Sequence, residues 1–222
     1  MDLEEIYNQK HQKGLERIIS ENEFIDENLN NENDTRRGIQ LLIRPSEKVI
    51  TSIQEKAKEI KKIDPNLYIY NPECLHFTLF SFIHVTKDFN YTKEQVELFK
   101  KISNEVLSNF KKFKITNKGL MFTGKAILVK GYPEKIIYDI LTTLNKALAN
   151  NNISRMNLYK DIIFHSSLVR YKTKISNRDK LIKFISDNYY YDFGTFDVSE
   201  IELIYHDWYD TKREVLDKIK LL

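Results

Sequence analysis

The sequence predicts an α+β protein in which two related lobes of antiparallel sheet, with outer helices, surround a central cleft. Strand-like and helix-like segments alternate along residues 36–222, and this order recurs about once in each half. One histidine motif falls in each half, His76-Phe77-Thr78-Leu79 in the first and His165-Ser166-Ser167-Leu168 in the second. The repeat therefore predicts one motif in each lobe, with both motifs facing the cleft.

Five segments have the apolar spacing or the capping residues of helices. The clearest is 47–63, where apolar residues recur on one side of the predicted helix. Thr92 and Gln95 are spaced as a capping box at the start of a helix predicted over 92–110. Pro133 is expected at the first position of its helix, where a missing amide costs nothing. The other predicted helices cover residues 3–19, 133–150 and 177–188.

The predicted strands are runs rich in β-branched and aromatic residues. Pro72 interrupts 67–85 and makes it one or two strands, and Gly124 marks the turn of a hairpin. Residues 193–208 suit a strand or a bent pair of strands. Residues 211–222 suit a terminal helix and a terminal strand equally well. The remaining strands are predicted over 38–43, 113–116, 119–132 and 161–171.

A change of composition near residue 35 divides the chain. Residues 3–19 have a sparse apolar stripe, which suits a helix that packs on the main body or mediates association. Residues 21–34 are rich in acidic residues and asparagine, which is typical of a linker. We therefore predict an N-terminal helix and polar linker over 1–35, and a bilobal domain with one motif in each lobe over 36–222.

Composition sets broad limits on function. A chain of 222 residues with 41% hydrophobic and 30% charged residues can bury one substantial core or two small ones. The formal net charge of +3 is too small to predict non-specific binding to nucleic acid. Cys74 is the single cysteine, so an intrachain disulfide and a thiolate metal cluster are excluded. No apolar run approaches the ~18 residues of a membrane span, and the first residues lack a secretory signal pattern, so we predict a cytoplasmic protein without a membrane partner.

The two histidine motifs are informative as a pair. Residues two apart in a strand point to the same face, so each motif presents an imidazole beside a hydroxyl. Ser and Thr make up 24 of 222 residues, so a hydroxyl follows a given histidine at this spacing roughly one time in nine. Three of the five histidines match, but Thr86 after His84 runs into a polar loop. We therefore select His76 and His165, and place His84 at the rim of the same site.

The pair supports acid and base chemistry on a phosphoester. One of His76 and His165 removes a proton and the other supplies one, because an imidazole changes charge near neutral pH. Thr78 and Ser167 are placed to donate hydrogen bonds to phosphate oxygens as negative charge develops. The sequence does not say which histidine is the acid.

The paired His-x-Thr/Ser-apolar pattern resembles the two-histidine (2H) phosphoesterase superfamily, which includes RNA 2′,3′-cyclic phosphodiesterases historically called 2′-5′ RNA ligases. The resemblance covers residues 36–222 and implies catalysis without a metal or cofactor. It also implies that Arg170 contacts the phosphate. Arg170 has the opposite strand parity to His165, so it needs a bulge, a twist or its long side chain to reach that face. Ser167 stands where threonine is commoner, and Ser166 is polar where an apolar residue is usual.

The predicted partner is a nucleotide or RNA phosphodiester, either a 2′,3′-cyclic phosphate or a 2′-5′ linkage. The resemblance also allows a cyclic oligonucleotide signal or an ADP-ribose cyclic phosphate. Tyr205 and Trp208 are candidates for stacking against a base.

Two other classes of function remain open. One is a module that binds a nucleotide or RNA end without turning it over. The other is a metal site that combines the two motif histidines with Asp161 or Asp207, although the sequence lacks the close histidine pair typical of such sites. The oligomeric state is not predicted.

Overall fold

The computed structural model describes residues 2–29, 31–151, 153 and 163–222. Within these residues it contains five α-helices, nine strands and one 3₁₀ turn, Pro72–Cys74. The helices are α1 (Leu3–Ile19), α2 (Glu47–Ile63), α3 (Lys93–Leu107), α4 (Ile136–Asn150) and α5 (Arg178–Asp187). The strands are β1 (Arg37–Ile43), β2 (Tyr68–Ile69), β3 (Phe77–Thr86), β4 (Phe113–Thr123), β5 (Ala126–Pro133), β6 (His165–Arg170), β7 (Asp192–Val198), β8 (Glu200–His206) and β9 (Arg213–Lys220).

The strands form two antiparallel sheets. Sheet A has the order β3-β1-β8-β9, and sheet B has the order β2-β6-β5-β4-β7. The first motif lies at the start of β3, on the edge of sheet A, and the second opens β6 of sheet B. These sheets confirm the predicted α+β class with two antiparallel lobes. No described helix is both long and apolar enough to cross a membrane.

The structure confirms one local prediction about a helix start and contradicts another. The capping box at α3 is present, because the Thr92 hydroxyl accepts from the Gln95 amide and the Gln95 side chain accepts from the Thr92 amide. The placement of Pro133 was wrong, since this residue ends β5 and α4 begins at Ile136. Pro133 pairs with Ile115, so the sheet extends through it. The predicted strand 161–171 is described only from residue 163 onward.

The ambiguous C-terminal segment is a strand. β9 pairs with β8 along its length, and this pairing satisfies backbone groups that a helix would have bonded internally. The apolar residues of this segment suited a helix and a strand equally well. Pairing with the edge of β8 therefore determines that the segment forms a strand.

Helix α1 packs on sheet B, against β4. One side of the helix is buried through Tyr7, His11, Gly14 and Ile18, which are spaced three or four residues apart. A side chain at Gly14 would place its Cβ 2.6 Å from the carbonyl oxygen of Phe122, so the helix backbone approaches the strand closely. Of the two roles that the sequence allowed for this helix, the structure shows packing on the main body.

The described residues that follow α1 also pack on the body. The buried Glu23 carboxylate pairs with Arg178 at 3.1 Å and accepts from the Ile175 amide at 3.1 Å. The Asp26 amide donates to the carbonyl of Tyr171 at 2.9 Å. These contacts hold the polar segment against the domain that it precedes.

Candidate active site

The two motif histidines have the same local anchor. The Nδ1 of His76 lies 2.8 Å from the carbonyl oxygen of Cys74, and the Nδ1 of His165 lies 3.2 Å from that of Ile163. Each acceptor is the carbonyl two residues before the histidine. Because a carbonyl can only accept, Nδ1 carries the hydrogen in both rings and Nε2 is the atom that can take a proton.

Both motif strands also contain a bulge directly after the motif hydroxyl. In the pairing of β3 with β1, Leu79 is the extra residue between two paired positions. In the pairing of β6 with β5, the extra residue is Leu168. A bulge reverses the alternation of side chains along a strand. The residues that follow Thr78 and Ser167 are therefore displaced to the other face in the same way in both lobes.

The second bulge resolves the parity of Arg170. His165, Ser167 and Arg170 pair with residues 130, 128 and 126 of β5, which alternate regularly and share one face. Arg170 therefore shares a face with the histidine and the hydroxyl of its motif, despite its odd spacing in sequence. The bulge is one of the three routes that the sequence left open.

The two motifs meet through the aromatic residue next to each histidine. The rings of Phe77 and Phe164 stack with centroids 5.1 Å apart and planes within 5°. Gly131 leaves room for this stack, since a Cβ there would lie 2.6 Å from the Phe77 ring. The Tyr7 hydroxyl from α1 lies 2.5 Å from the Phe164 carbonyl oxygen, to which it donates. The segments that carry the two motif histidines are thus held together by buried contacts of Phe77, Phe164 and Tyr7.

A cleft of about 460 Å³ lies between the sheets and contains parts of both motifs. Thr78 and Ser81 border it from β3, and His165 borders it from β6. The buried Gln40 of β1 also lines it, donating to the Ser81 hydroxyl at 2.9 Å and accepting from the Thr78 hydroxyl at 3.4 Å. Sequence reasoning missed Gln40, although a lone polar residue inside an apolar strand was an available signal.

Behind His76 lies a buried carboxylate that the sequence analysis did not select. Asp210 has a fully buried side chain, and its Oδ2 is 3.8 Å from the Nδ1 of His76. The same carboxylate accepts from Arg44, from Arg213 at 3.2 Å and from His206 at 3.1 Å. Asp210 has a φ of 59°, in the left-handed region that non-glycine residues rarely adopt. Backbone strain and three partners mark it as a fixed charge beside the first motif.

The histidines share a low pKa but differ in their neighbours. Burial lowers the pKa of His76 to about 4, and the Asp210 carboxylate opposes this effect. Burial also lowers the pKa of His165 to about 4, and the positive charges of Arg170 and Lys10 add to this effect. The free protein therefore holds both imidazoles neutral at pH 7. An anion bound between them would stabilise the protonated form of either.

We expect this burial to be measurable as a pH dependence of stability. His76, His165 and the buried His11 each have a pKa of about 4 in the folded chain, against 6.5 for an unperturbed histidine. The unfolded chain therefore binds more protons between these values, and the free energy of unfolding should fall as pH decreases from 6.5 to 4. NMR titration of the histidine ring signals measures the three pKa values directly. Titration midpoints near 6.5 for the two motif histidines would contradict their burial.

The remaining predicted site residues are divided between two places. Trp208 borders the cleft with 40% of its surface exposed, and the Arg170 guanidinium carbon lies 5.6 Å from its ring centroid. Tyr205 lies elsewhere, with its ring 4.8 Å from that of Tyr91 and its hydroxyl donating to the Phe89 carbonyl. The structure therefore does not bring Tyr205 and Trp208 together. His84 also borders the cleft, at the end formed by residues 84 and 85 of β3.

Among the described residues, no group of three or more His, Cys, Asp or Glu side chains is arranged to hold a metal ion. The Asp207 carboxylate accepts hydrogen bonds from the Thr211 amide and hydroxyl and from the Tyr209 amide, all within its own turn. Asp161 lies outside the described residues.

Comparison with protein-family models and with curated proteins finds no match. Solved structures do match. TT0787 of Thermus thermophilus superposes with a TM-score of 0.62 and 14% identity, over 82% of this chain and 97% of that one. LigT of E. coli without ligand has a TM-score of 0.57 and 14% identity, over 84% of this chain and 98% of its own. A conserved protein of unknown function from Agrobacterium tumefaciens has a TM-score of 0.63 and 12% identity, over 92% of this chain and 99% of that chain.

These structures include members of the 2H phosphoesterase superfamily, and the chain has the fold of that superfamily. The resemblance seen in the two motifs is therefore confirmed at the level of the fold.

Proposed function

We propose that the chain is a metal-independent phosphodiesterase that acts on a nucleotide or RNA phosphodiester, either a 2′,3′-cyclic phosphate or a 2′-5′ linkage. The equal geometry of the two motifs supports this most strongly. Each imidazole has its Nδ1 held by a carbonyl, each is followed by a hydroxyl and a bulge, and the flanking phenylalanines stack. Two imidazoles, one from each motif, suit a reaction in which one proton is removed and another is delivered.

The charges around each ring favour one distribution of roles. His165 has two cations and no described carboxylate acting on it, so its neutral form is favoured and it serves as the base. His76 has the Asp210 carboxylate 3.8 Å from its Nδ1, which raises its pKa, while the charges of Arg44 and His206 lower it. Both rings have a pKa of about 4, so we assign the acid to His76 on the position of this carboxylate alone. The bound phosphodiester anion also stabilises the protonated form of the acid.

The bonds follow from these roles. The Nε2 of His165 takes a proton from water as the water oxygen forms a bond to phosphorus. The bond from phosphorus to one ribose oxygen breaks, and the Nε2 of His76 gives its proton to that oxygen. A cyclic phosphate becomes a phosphomonoester, and the histidines exchange protons with solvent to return to their first state.

Thr78, Ser167 and Arg170 are proposed to hold the non-bridging oxygens of the phosphate. In the described part of the chain, the Thr78 hydroxyl makes one long hydrogen bond of 3.4 Å, to Gln40, so it can turn toward a ligand at little cost. Arg170 supplies a positive charge on the face of β6 that carries His165 and Ser167. These donors would stabilise the negative charge that develops on the phosphate. Trp208 remains a candidate for stacking against a base.

The proposal is tested by incubating the chain with a nucleoside 2′,3′-cyclic phosphate and with a 2′-5′-linked dinucleotide in the presence of EDTA. Mass spectrometry identifies products, and we expect addition of one water to at least one substrate. A His76→Ala/His165→Ala double variant, purified in the same way, controls for contaminating nucleases. Loss of turnover in EDTA would contradict metal independence. Binding of both substrates without turnover would favour a nucleotide-binding module instead.

A further inference from the structure

The cleft extends well beyond the space that one phosphate needs. It follows β3 from Thr78 to Val85 and has His84 at its outer end. Seven residue steps along a strand span about 20 Å at ~3.3 Å per residue. On β6 the cleft borders His165 at the start of the strand, and its described lining does not include Arg170 at the other end. The open part of the cleft therefore runs along β3, from Thr78 toward His84.

Lys10 is a charged residue in the lining of the same cleft. It belongs to α1, the helix that packs on sheet B, and it lines the cleft together with Ile163 and His165. Its positive charge is near enough to His165 to lower the pKa of that ring. Arg170 acts on the same ring from the other end of β6.

Buried contacts fix the position of Lys10. The Tyr7 hydroxyl, one helical turn earlier, donates to the Phe164 and Gly131 carbonyls at 2.5 Å and 2.6 Å. The Nδ1 of the adjacent His11 accepts from the Phe122 amide at 3.1 Å. Lys10 is thus held on a rigid helix beside the residues that flank the second motif.

The charge of Lys10 has no described counter-ion. Within the described part of the chain, Lys10 makes no ion pair with a carboxylate, and the described lining of the cleft contains no Asp or Glu. By contrast, Lys130 under the same helix is fully buried and paired with Glu4. A cation on a rigid wall of a cleft whose described lining has no acidic residue is suited to bind an anion from outside.

We propose that Lys10 binds a second phosphate of the substrate, one nucleotide away from the phosphate that reacts. The inference rests on the proposed function and narrows its substrate to an oligonucleotide that carries the reactive phosphodiester at one end. The reacting phosphate already has two hydroxyls and Arg170 as proposed partners, whereas the outer cleft has Lys10 on one wall and His84 at its end.

The test compares two substrates that differ in the neighbouring phosphate. One is a nucleoside 2′,3′-cyclic phosphate, and the other is an RNA trinucleotide that ends in the same cyclic phosphate. For a Lys10→Gln variant we expect the ratio of kcat/KM for the trinucleotide to that for the mononucleotide to fall about tenfold, the usual order for one charge-assisted contact. Lys10→Arg should restore most of the ratio. Lys13→Gln, an exposed lysine on the same helix, should leave the ratio unchanged.

A third substrate isolates the contact. This substrate is a trinucleotide with an uncharged methylphosphonate at the neighbouring linkage. With the unchanged chain, its kcat/KM should fall to about that of the mononucleotide, and Lys10→Gln should lower its kcat/KM no further. The slope of log Kd against log salt for the charged trinucleotide should become shallower by about 0.7 in this variant, since one phosphate contact is removed. A variant that merely disturbed the helix would lower turnover of all three substrates together.

The two proposals fail in different ways. An unchanged ratio for Lys10→Gln, or an equal loss on both phosphate substrates, would overturn the role of Lys10 while the phosphodiesterase stands. If the unchanged chain turns over neither of these substrates nor the 2′-5′-linked dinucleotide, the proposed function fails. Binding of the trinucleotide then tests Lys10 alone, and equal affinity of the unchanged chain and Lys10→Gln would overturn its role.

Discussion

Replacing His76 or His165 by alanine is expected to lower kcat by about 10²- to 10⁴-fold on a substrate with a ribose leaving group. Each change removes one proton transfer that the reaction needs, while the opposite motif stays in place. Asparagine is a useful second replacement at each position, because it keeps a donor for the carbonyl of residue 74 or 163. Steady-state kinetics on a nucleoside 2′,3′-cyclic phosphate provides the measurement.

A substrate with a better leaving group distinguishes the two histidines. A 4-nitrophenyl phosphodiester releases a phenolate that departs without a proton, so the acid is not needed. We expect His76→Ala to recover much of its activity on this substrate and His165→Ala to remain slow. The reverse pattern would exchange the roles of acid and base. Full activity of both variants on both substrates would contradict the two-histidine mechanism itself.

Asp210→Asn is expected to lower both stability and turnover. Asp210 is fully buried and is shared by Arg44, Arg213 and His206, so the neutral side chain leaves Arg44 with Glu202 alone and Arg213 without a described carboxylate partner. Breaking a buried ion pair in this way costs about 3 kcal/mol in the free energy of unfolding. Denaturant unfolding of the variant and the unchanged chain measures the difference.

Asp88 provides a matched control for the left-handed backbone of Asp210. Asp88 is exposed and has a φ of 57°, close to that of Asp210, so Asp88→Asn repeats the chemical change in the same backbone region without the buried partners. We expect Asp88→Asn to change stability by less than about 0.5 kcal/mol. A large loss in this control as well would mean that the left-handed backbone, and not the charge, dominates.

The catalytic effect of Asp210→Asn has its own readout. Without the carboxylate, the protonated form of His76 is less stable, so the alkaline limb of the kcat profile should move to lower pH. The loss in kcat should be about tenfold or more. It should be smaller than the ~10⁴ lost when a carboxylate bonded directly to a catalytic imidazole is removed, since 3.8 Å separates the two groups here. A purely structural role would lower activity without moving the limb.

The Asp210 carboxylate also makes the free energy of unfolding depend on pH in acid. Burial alone would raise the pKa of Asp210, but the hydrogen bond with His206 and the charges of His76 and Arg44 lower it to about 2. Its contribution is therefore fully present above the usual carboxyl pKa of about 4 and is lost as pH falls toward 2.

Local pattern predicted most of the elements because the forces that set them are local. α1 and α2 begin and end at the predicted residues, since apolar spacing and the residues at helix ends lie within a few positions of each other. The capping box at Thr92 is another feature of this kind. The prediction for Pro133 was wrong because pairing with Ile115 extends the strand through a residue that suits a helix start equally well.

Features of the site that were missed depend on residues distant in sequence. Asp210 stands 134 residues after His76 in the chain, and no local pattern relates a turn aspartate to a strand histidine. Gln40 lies on a different strand from the hydroxyls that it contacts. Tyr205 and Trp208 looked like neighbours, but Tyr205 lies in β8 and Trp208 in the turn beyond its end, and their side chains have different surroundings.

By itself, the sequence determined the fold class, most helices and strands, and the two segments in which a histidine and a hydroxyl share a strand face. Only the tertiary structure decided that bulges at Leu79 and Leu168 give both motifs the same form, and that Asp210 and Lys10 place opposite charges beside the two rings. The physical reason is the distance along the chain over which each kind of force acts. Backbone propensity and apolar spacing act over a few residues, whereas strand register, burial and electrostatic fields depend on which distant segments the packed core brings together.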